Sequence, residues 1–199
     1  DRSWGWRWTG EPEAGISREI PEQFFWLWAP LHWSDRCTHW GQHEYGDGRR
    51  WKEFAQVFKT HPIRTDFNVL DESEVSEVTC GPHRLKFRKG SRIIEHAEID
   101  TIHKDGRKET FVLEPLLRYH MYGTGYNHPE WGHGFYKGEE AHTLEHWNIN
   151  EIDVNLPQFM HMQQVVRARC GDQVGVGVLE QYIVGPHQRY GLKGFLDPT

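Results

Sequence analysis

Apolar and polar residues alternate along most of this chain with the period of two that marks half-buried strands. The run Gln23-Phe24-Phe25-Trp26-Leu27-Trp28-Ala29 is an aromatic strand that Pro30 is expected to end. A second extended run covers 31–44, and after the turn Gly46-Asp47-Gly48 a third covers 50–58. Short strands at 75–80 and 84–88 surround Gly81-Pro82. Segments 93–103 and 109–119 flank Lys104-Asp105-Gly106-Arg107, and 160–170 and 174–184 flank Gly171-Asp172, two clear hairpin signals. A further strand pair is expected over 135–147, pivoting at Gly138. No segment keeps a helical period over three turns; 139–149 comes nearest, and its Thr, His and Asn content argues against it.

About ten strands at short spacing predict an all-β fold, an antiparallel barrel or sandwich. With no linker, repeat or low-complexity tract, residues 1–199 read as a single β domain. In the last hairpin, Met160, Met162, Gln164, Val166 and Ala168 share one face of their strand, and Val174, Val176, Val178, Glu180 and Tyr182 share one face of the partner. If both faces line a barrel, Gln164 and Glu180 are polar groups in an apolar cavity, the composition of a small-molecule site. If they face outward, both are solvated and the Met and Val side chains are covered by a neighbouring domain.

Composition narrows the classes. The 199 residues carry a net charge of −6, without the basic stripe that nucleic acid requires. No apolar run is long enough for a membrane span. Cys37, Cys80 and Cys170 are odd in number and far apart, which favours free thiols in a reducing, cytoplasmic setting over a disulfide framework. Ten Trp and fourteen His give the interior an aromatic and polar character.

Asp1-Arg2-Ser3-Trp4-Gly5-Trp6-Arg7-Trp8 begins inside an alternating aromatic strand, which reads as part of a longer protein. In 126–134, His128, Glu130 and His133 lack any standard zinc spacing, so no metal site is assigned. The proline and glycines there instead suit a fixed loop at a barrel rim, with Trp131 packed and a cavity lid as its function. His39 and His43 share a strand face with Gly41, as hydrogen-bonded histidines or as a general base. Gly175-Val176-Gly177 has no following helix, so it reads as close strand packing rather than a phosphate loop.

Several blocks carry a resemblance. They are Asp1-Arg2-Ser3-Trp4-Gly5, Trp26-Leu27-Trp28-Ala29-Pro30-Leu31, Cys37-Thr38-His39-Trp40, Asp47-Gly48-Arg49-Arg50-Trp51, residues 125–134, Gln163 to Arg169, Val176 to Gln181 and Gly194 to Pro198. Together the chain resembles the C-terminal domain of an uncharacterised bacterial branch of the two-domain lipocalin-like proteins that include carotenoid hydratases and AttH-type proteins. The resemblance implies a lipocalin-like β-barrel, incomplete at its N-terminus and lacking an N-terminal β domain that would be its partner. It also implies that Asp1 sits where the hydratases carry an acid that protonates an isoprenoid double bond. Arg2 stands where that family has His, and a guanidinium there favours the ionised carboxylate.

The expected function is binding of an apolar small molecule, isoprenoid, steroid or acyl-like, in a barrel cavity, with Trp4, Trp26, Trp28, Trp131, Gln164, Glu180 and Tyr182 as its contacts. The alternatives are a cofactor-independent hydratase, isomerase or cyclase with Asp1 as acid, and a structural half that pairs with the missing domain. No cofactor is assigned.

Overall fold

Tight turns set the antiparallel order. Gly48, Gly106 and Gly171 hold φ of 85°, 85° and 57°, the left-handed region that glycine enters without strain, and each lies between adjacent strands. The computed structural model describes residues 20–60, 75–132, 136–197 and 199. Within them lie nine strands: β1 Phe24–His32, β2 Arg36–Glu44, β3 Arg50–Lys59, β4 Val75–Glu77, β5 Thr79–Phe87, β6 Ile94–Ile102, β7 Lys108–His120, β8 His161–Cys170 and β9 Gln173–Val184. They form one all-antiparallel sheet in the order β4-β3-β2-β1-β9-β8-β7-β6-β5. No α-helix occurs among the described residues, and no helix there is long and apolar enough to cross a membrane.

The sheet curls like a lipocalin-like barrel. Its edge strands β4 and β5 are consecutive in the chain, separated by Val78 alone, whose N–H donates to Ala55 O of β3 at 3.2 Å. Arg50 fastens the same junction, donating to Cys80 O and Gly81 O at 2.8 Å each. The curl encloses a packed core. Phe25, Leu27 and Leu31 of β1 meet Trp40, Ile99, Phe111, Leu113, Val166 and Leu179, all nearly inaccessible. Trp40 satisfies its indole N–H across the interior on Asp100 O at 3.2 Å.

Four expectations change. Pro30 does not end β1; the strand continues to His32, and the β1–β9 register skips Ala29 and Pro30, where the missing N–H falls. The run 31–44 is divided by a turn at 33–35, with Trp33 N–H bonded to Arg36 O at 2.8 Å. Gly81-Pro82 does not separate two strands but lies inside β5, at a register shift against β6. The strand pair over 135–147 is absent: residue 135 is outside the described residues, and 136–151 is exposed coil. Its glutamates, histidines and asparagines give it no apolar face to bury.

The last hairpin also reads differently. Its register sets Gln164 opposite Leu179 and Gln163 opposite Glu180, so Gln164 and Glu180 lie on opposite faces of the sheet. Neither is solvated. Gln164 faces the interior with Met162, Val166 and Ala168, while Val174 and Val176 are exposed. The two glycines of 175–177 also face inward. A Cβ on Gly175 would lie 2.6 Å from His32 O and one on Gly177 2.2 Å from Pro30 O, so only glycine lets β9 approach β1 this closely.

One carboxylate is buried at the end of this core. Glu44 Oε1 accepts from His83 Nε2 and Oε2 from His187 Nε2, both at 2.9 Å, and Tyr190 donates to His83 Nδ1 at 2.7 Å. Phe25 stacks on both imidazoles, at 5.5 and 4.2 Å. Burial opposes the charge on Glu44, but the hydrogen bonds from His187 and His83 outweigh it and hold the carboxyl at about 2. Burial pushes His83 down, so its contact with Glu44 is a hydrogen bond from a neutral ring rather than an ion pair.

Because Glu44 is depressed in the folded state, its contribution is complete above the ordinary value of 4.5 and is lost as pH falls through about 2. The contribution is on the order of 3 kcal/mol at ~1.4 kcal/mol per pKa unit. Urea unfolding between pH 5 and 2 should show stability falling with pH, and Glu44→Gln should flatten that limb by about one proton. An unchanged slope in the variant would show that Glu44 is not the group responsible.

Candidate functional site

The face of β1 opposite the core carries Phe24, Trp26 and Trp28. Trp26 is flanked in register by His43 of β2 and Tyr182 of β9, and Trp28 by Gly41 and Glu180. His161 of β8 lies opposite Tyr182, and Phe54 of β3 opposite Gly41. These residues, with His39, Lys52 and Tyr126, line a cleft of about 440 Å³. Gly41 makes room for one wall: a Cβ there would stand 2.3 Å from Phe54 Cζ, so the Phe54 ring lies over the bare backbone.

Tyr126 reaches the cleft from the loop after the short 3-10 turn Met121–Thr124, its ring edge-on to His161 at 4.5 Å. That loop is fixed locally. His128 Nδ1 accepts the backbone N–H groups of Glu130 and Trp131, at 3.1 and 2.9 Å, and Nε2 lies 3.0 Å from Glu145. Asn127 takes a left-handed φ of 58° and its side chain hydrogen-bonds Tyr182.

Glu180 is the buried charge of the cleft. Oε1 accepts from Trp26 Nε1 at 2.8 Å and Oε2 from Gln163 Nε2 at 2.6 Å. His161 Nε2 stands 3.2 Å from Oε1, close enough for attraction but without hydrogen-bond geometry. Burial works to raise the Glu180 carboxyl, yet its polar neighbours prevail and keep it below the usual range. It is therefore an ionised carboxylate, not a proton donor. Burial, with Lys52 adding to it, pushes His43 down to about 4. Burial also depresses His39, whose Nε2 accepts the Trp28 indole N–H. The Nδ1 atoms of His43 and His161 are buried without a hydrogen-bond partner, so a bound molecule could meet them with polar groups of its own.

Of the residues expected from sequence, Trp26, Trp28, Glu180 and Tyr182 come together here. Gln164 does not; it donates to Ile94 O at 2.9 Å on the interior face. Trp131 lies in the loop beyond Tyr126 with Lys137 Nζ 5.3 Å from its ring, and does not line this cleft. Asp1, Trp4 and His133 lie outside the described residues. Tyr126 opens the segment that reads as a cavity lid, though Trp131 rather than Tyr126 is the contact expected there, and Phe24, Phe54 and His161 had not been singled out. Among the described residues, no three His, Cys, Asp or Glu side chains are grouped to hold a metal ion.

Fold and cleft define the class: a curled antiparallel β protein bearing an aromatic recess around a buried carboxylate. By sequence the chain belongs to a family of unknown function, DUF8625, whose profile matches residues 1–193. No curated protein and no solved structure matches the chain.

Trp26→Phe keeps the ring and removes one donor from Glu180. The variant should lose about 1.5–3 kcal/mol, as expected for a hydrogen bond to a charged group, and its Glu180 carboxyl should titrate at higher pH. Carbon-detected NMR of the side-chain carboxyls reads the second effect. An unmoved Glu180 titration would mean that Trp26 does not hold the charge.

Proposed function

We propose that the protein binds an apolar small molecule, isoprenoid, steroid or acyl-like, in the aromatic cleft on the outer face of β1. The observation that carries this reading is the convergence of Trp26, Trp28, Phe54, Tyr126 and Tyr182 around about 440 Å³. That size and mainly apolar lining, with few polar groups, suit a small-molecule site. The depressed histidines, neutral near pH 7, suit an uncharged ligand.

A second reading, a cofactor-independent lyase or isomerase, is favoured by His161. A buried imidazole beside a carboxylate is a suitable general base, and Nδ1 is unengaged. In this reading the carotenoid hydratase resemblance would add Asp1 as the acid. The same resemblance supports pairing with an N-terminal β domain. The free thiols of Cys37, Cys80 and Cys170 fit a cytoplasmic protein.

The neutral probe N-phenyl-1-naphthylamine tests the binding reading. Its fluorescence should rise saturably with the wild-type protein. Gly41→Ala pushes the Phe54 ring toward the cleft and should weaken binding about tenfold, or ~1.4 kcal/mol, with little loss of fold. No saturable signal, or undiminished affinity in the variant, would refute this site.

A further inference from the structure

The barrel wall parts between β6 and β7. Their ladder runs from Ile102–Lys108 to Ala97–Leu113 and stops there. Beyond it, β6 pairs only with β5 and β7 only with β8, and β7 shifts register at Pro115–Leu117. Two interior glutamines take over at the gap. Gln164 Nε2 donates to Ile94 O, and Ile94 N–H donates to Gln181 Oε1, both at 2.9 Å. Against this seal lies a cleft of about 300 Å³ between the separated strands.

Its composition differs from that of the aromatic cleft. The apolar lining is aliphatic, and Leu116, Leu117 and Ile149 are 56%, 62% and 55% exposed. Arg88 and Arg118 face the same space. Every other described arginine, from Arg36 to Arg189, is paired with a carboxylate. Among the described residues these two have no hydrogen-bond or ion-pair partner for their side chains, and Arg118 Nη1 is buried. Burial and the charge of Arg88 both work against the charge on Arg118. Glu95, the carboxylate at the rim, is held by Lys86 Nζ at 2.6 Å. Burial depresses His120, which adds no competing cation near neutral pH.

We infer that this split is a binding site for a small amphipathic carboxylate, with Arg88 and Arg118 on the carboxylate and the exposed leucines and Ile149 on its aliphatic chain. The anion would relieve the repulsion between two guanidinium groups and give the buried Nη1 an acceptor. The aliphatic chain would cover side chains that the fold leaves in water. The site is separate from the aromatic cleft and stands whether or not that cleft binds a ligand.

Amide NMR titration of the full chain with sodium octanoate, and in parallel with 1-octanol, tests it. Octanoate should shift the amides of 93–95 and 116–118 saturably, and the alcohol should bind there at least about tenfold more weakly. Arg118→Gln and Arg88→Gln should each weaken octanoate about tenfold and leave the alcohol unchanged. Equal affinity for acid and alcohol, wild-type octanoate binding in both variants, no saturable shifts, or shifts confined to Trp26 and Tyr182 would each overturn the inference.

Discussion

The register of β1 between β2 and β9 assigns every side chain of the core and of the aromatic cleft. β1 is covered on both faces, with Phe25, Leu27 and Leu31 in the core and Phe24, Trp26 and Trp28 in the cleft. A slip of one residue would exchange the two sets and place indoles where the interior has room for leucine. The register is pinned at both sides. On one, the turn at 33–35 joins β1 to β2; on the other, Gly175 and Gly177 let β9 lie against the β1 carbonyls. β8 then follows β9 through the two-residue turn Gly171-Asp172, which carries Gln163 and His161 to Glu180 and Tyr182.

Both faces also bury a carboxylate by the same means. Glu44 inside and Glu180 outside are each kept ionised by converging polar neighbours: His187 and His83, with Arg189 beyond them, for the first, and His161, Gln163 and Trp26 for the second. At the β6–β7 split the polarity is reversed, since two cations there lack carboxylates. Strand pairing accounts for this too: where the β6–β7 ladder ends, Arg118 is paired with Gln164 of β8 but has no neighbour from β6 to supply a carboxylate.

Much of this was legible in the chain. The all-β class, the hairpins around Lys104–Arg107 and Gly171-Asp172, and the grouping of Trp26 with Trp28 follow from alternation and turn chemistry. The segment 135–147 misled because aromatic residues in a polar stretch resemble a strand until pairing partners are counted, and 136–151 has none. Placing Gln164 and Glu180 on one face was an error of register, not of periodicity. A two-residue turn already fixes Gln163 opposite Glu180 and His161 opposite Tyr182, so His161 could have been found. Phe54 could not, because its position depends on the pairing of β2 with β3, which shifts at His43/Glu44. The loop that begins at Tyr126 reads as a cavity lid, but the pattern does not say that Tyr126 rather than Trp131 is the residue that reaches the cleft.

The central claim is that the barrel interior is filled and that ligand chemistry occupies the opposite face of β1. Intermolecular NOEs from bound N-phenyl-1-naphthylamine test it most directly. They should run to the ring protons of Trp26, Trp28 and Tyr182. NOEs to Trp40, Phe111 and Leu27 instead would place the ligand inside the barrel and contradict this account.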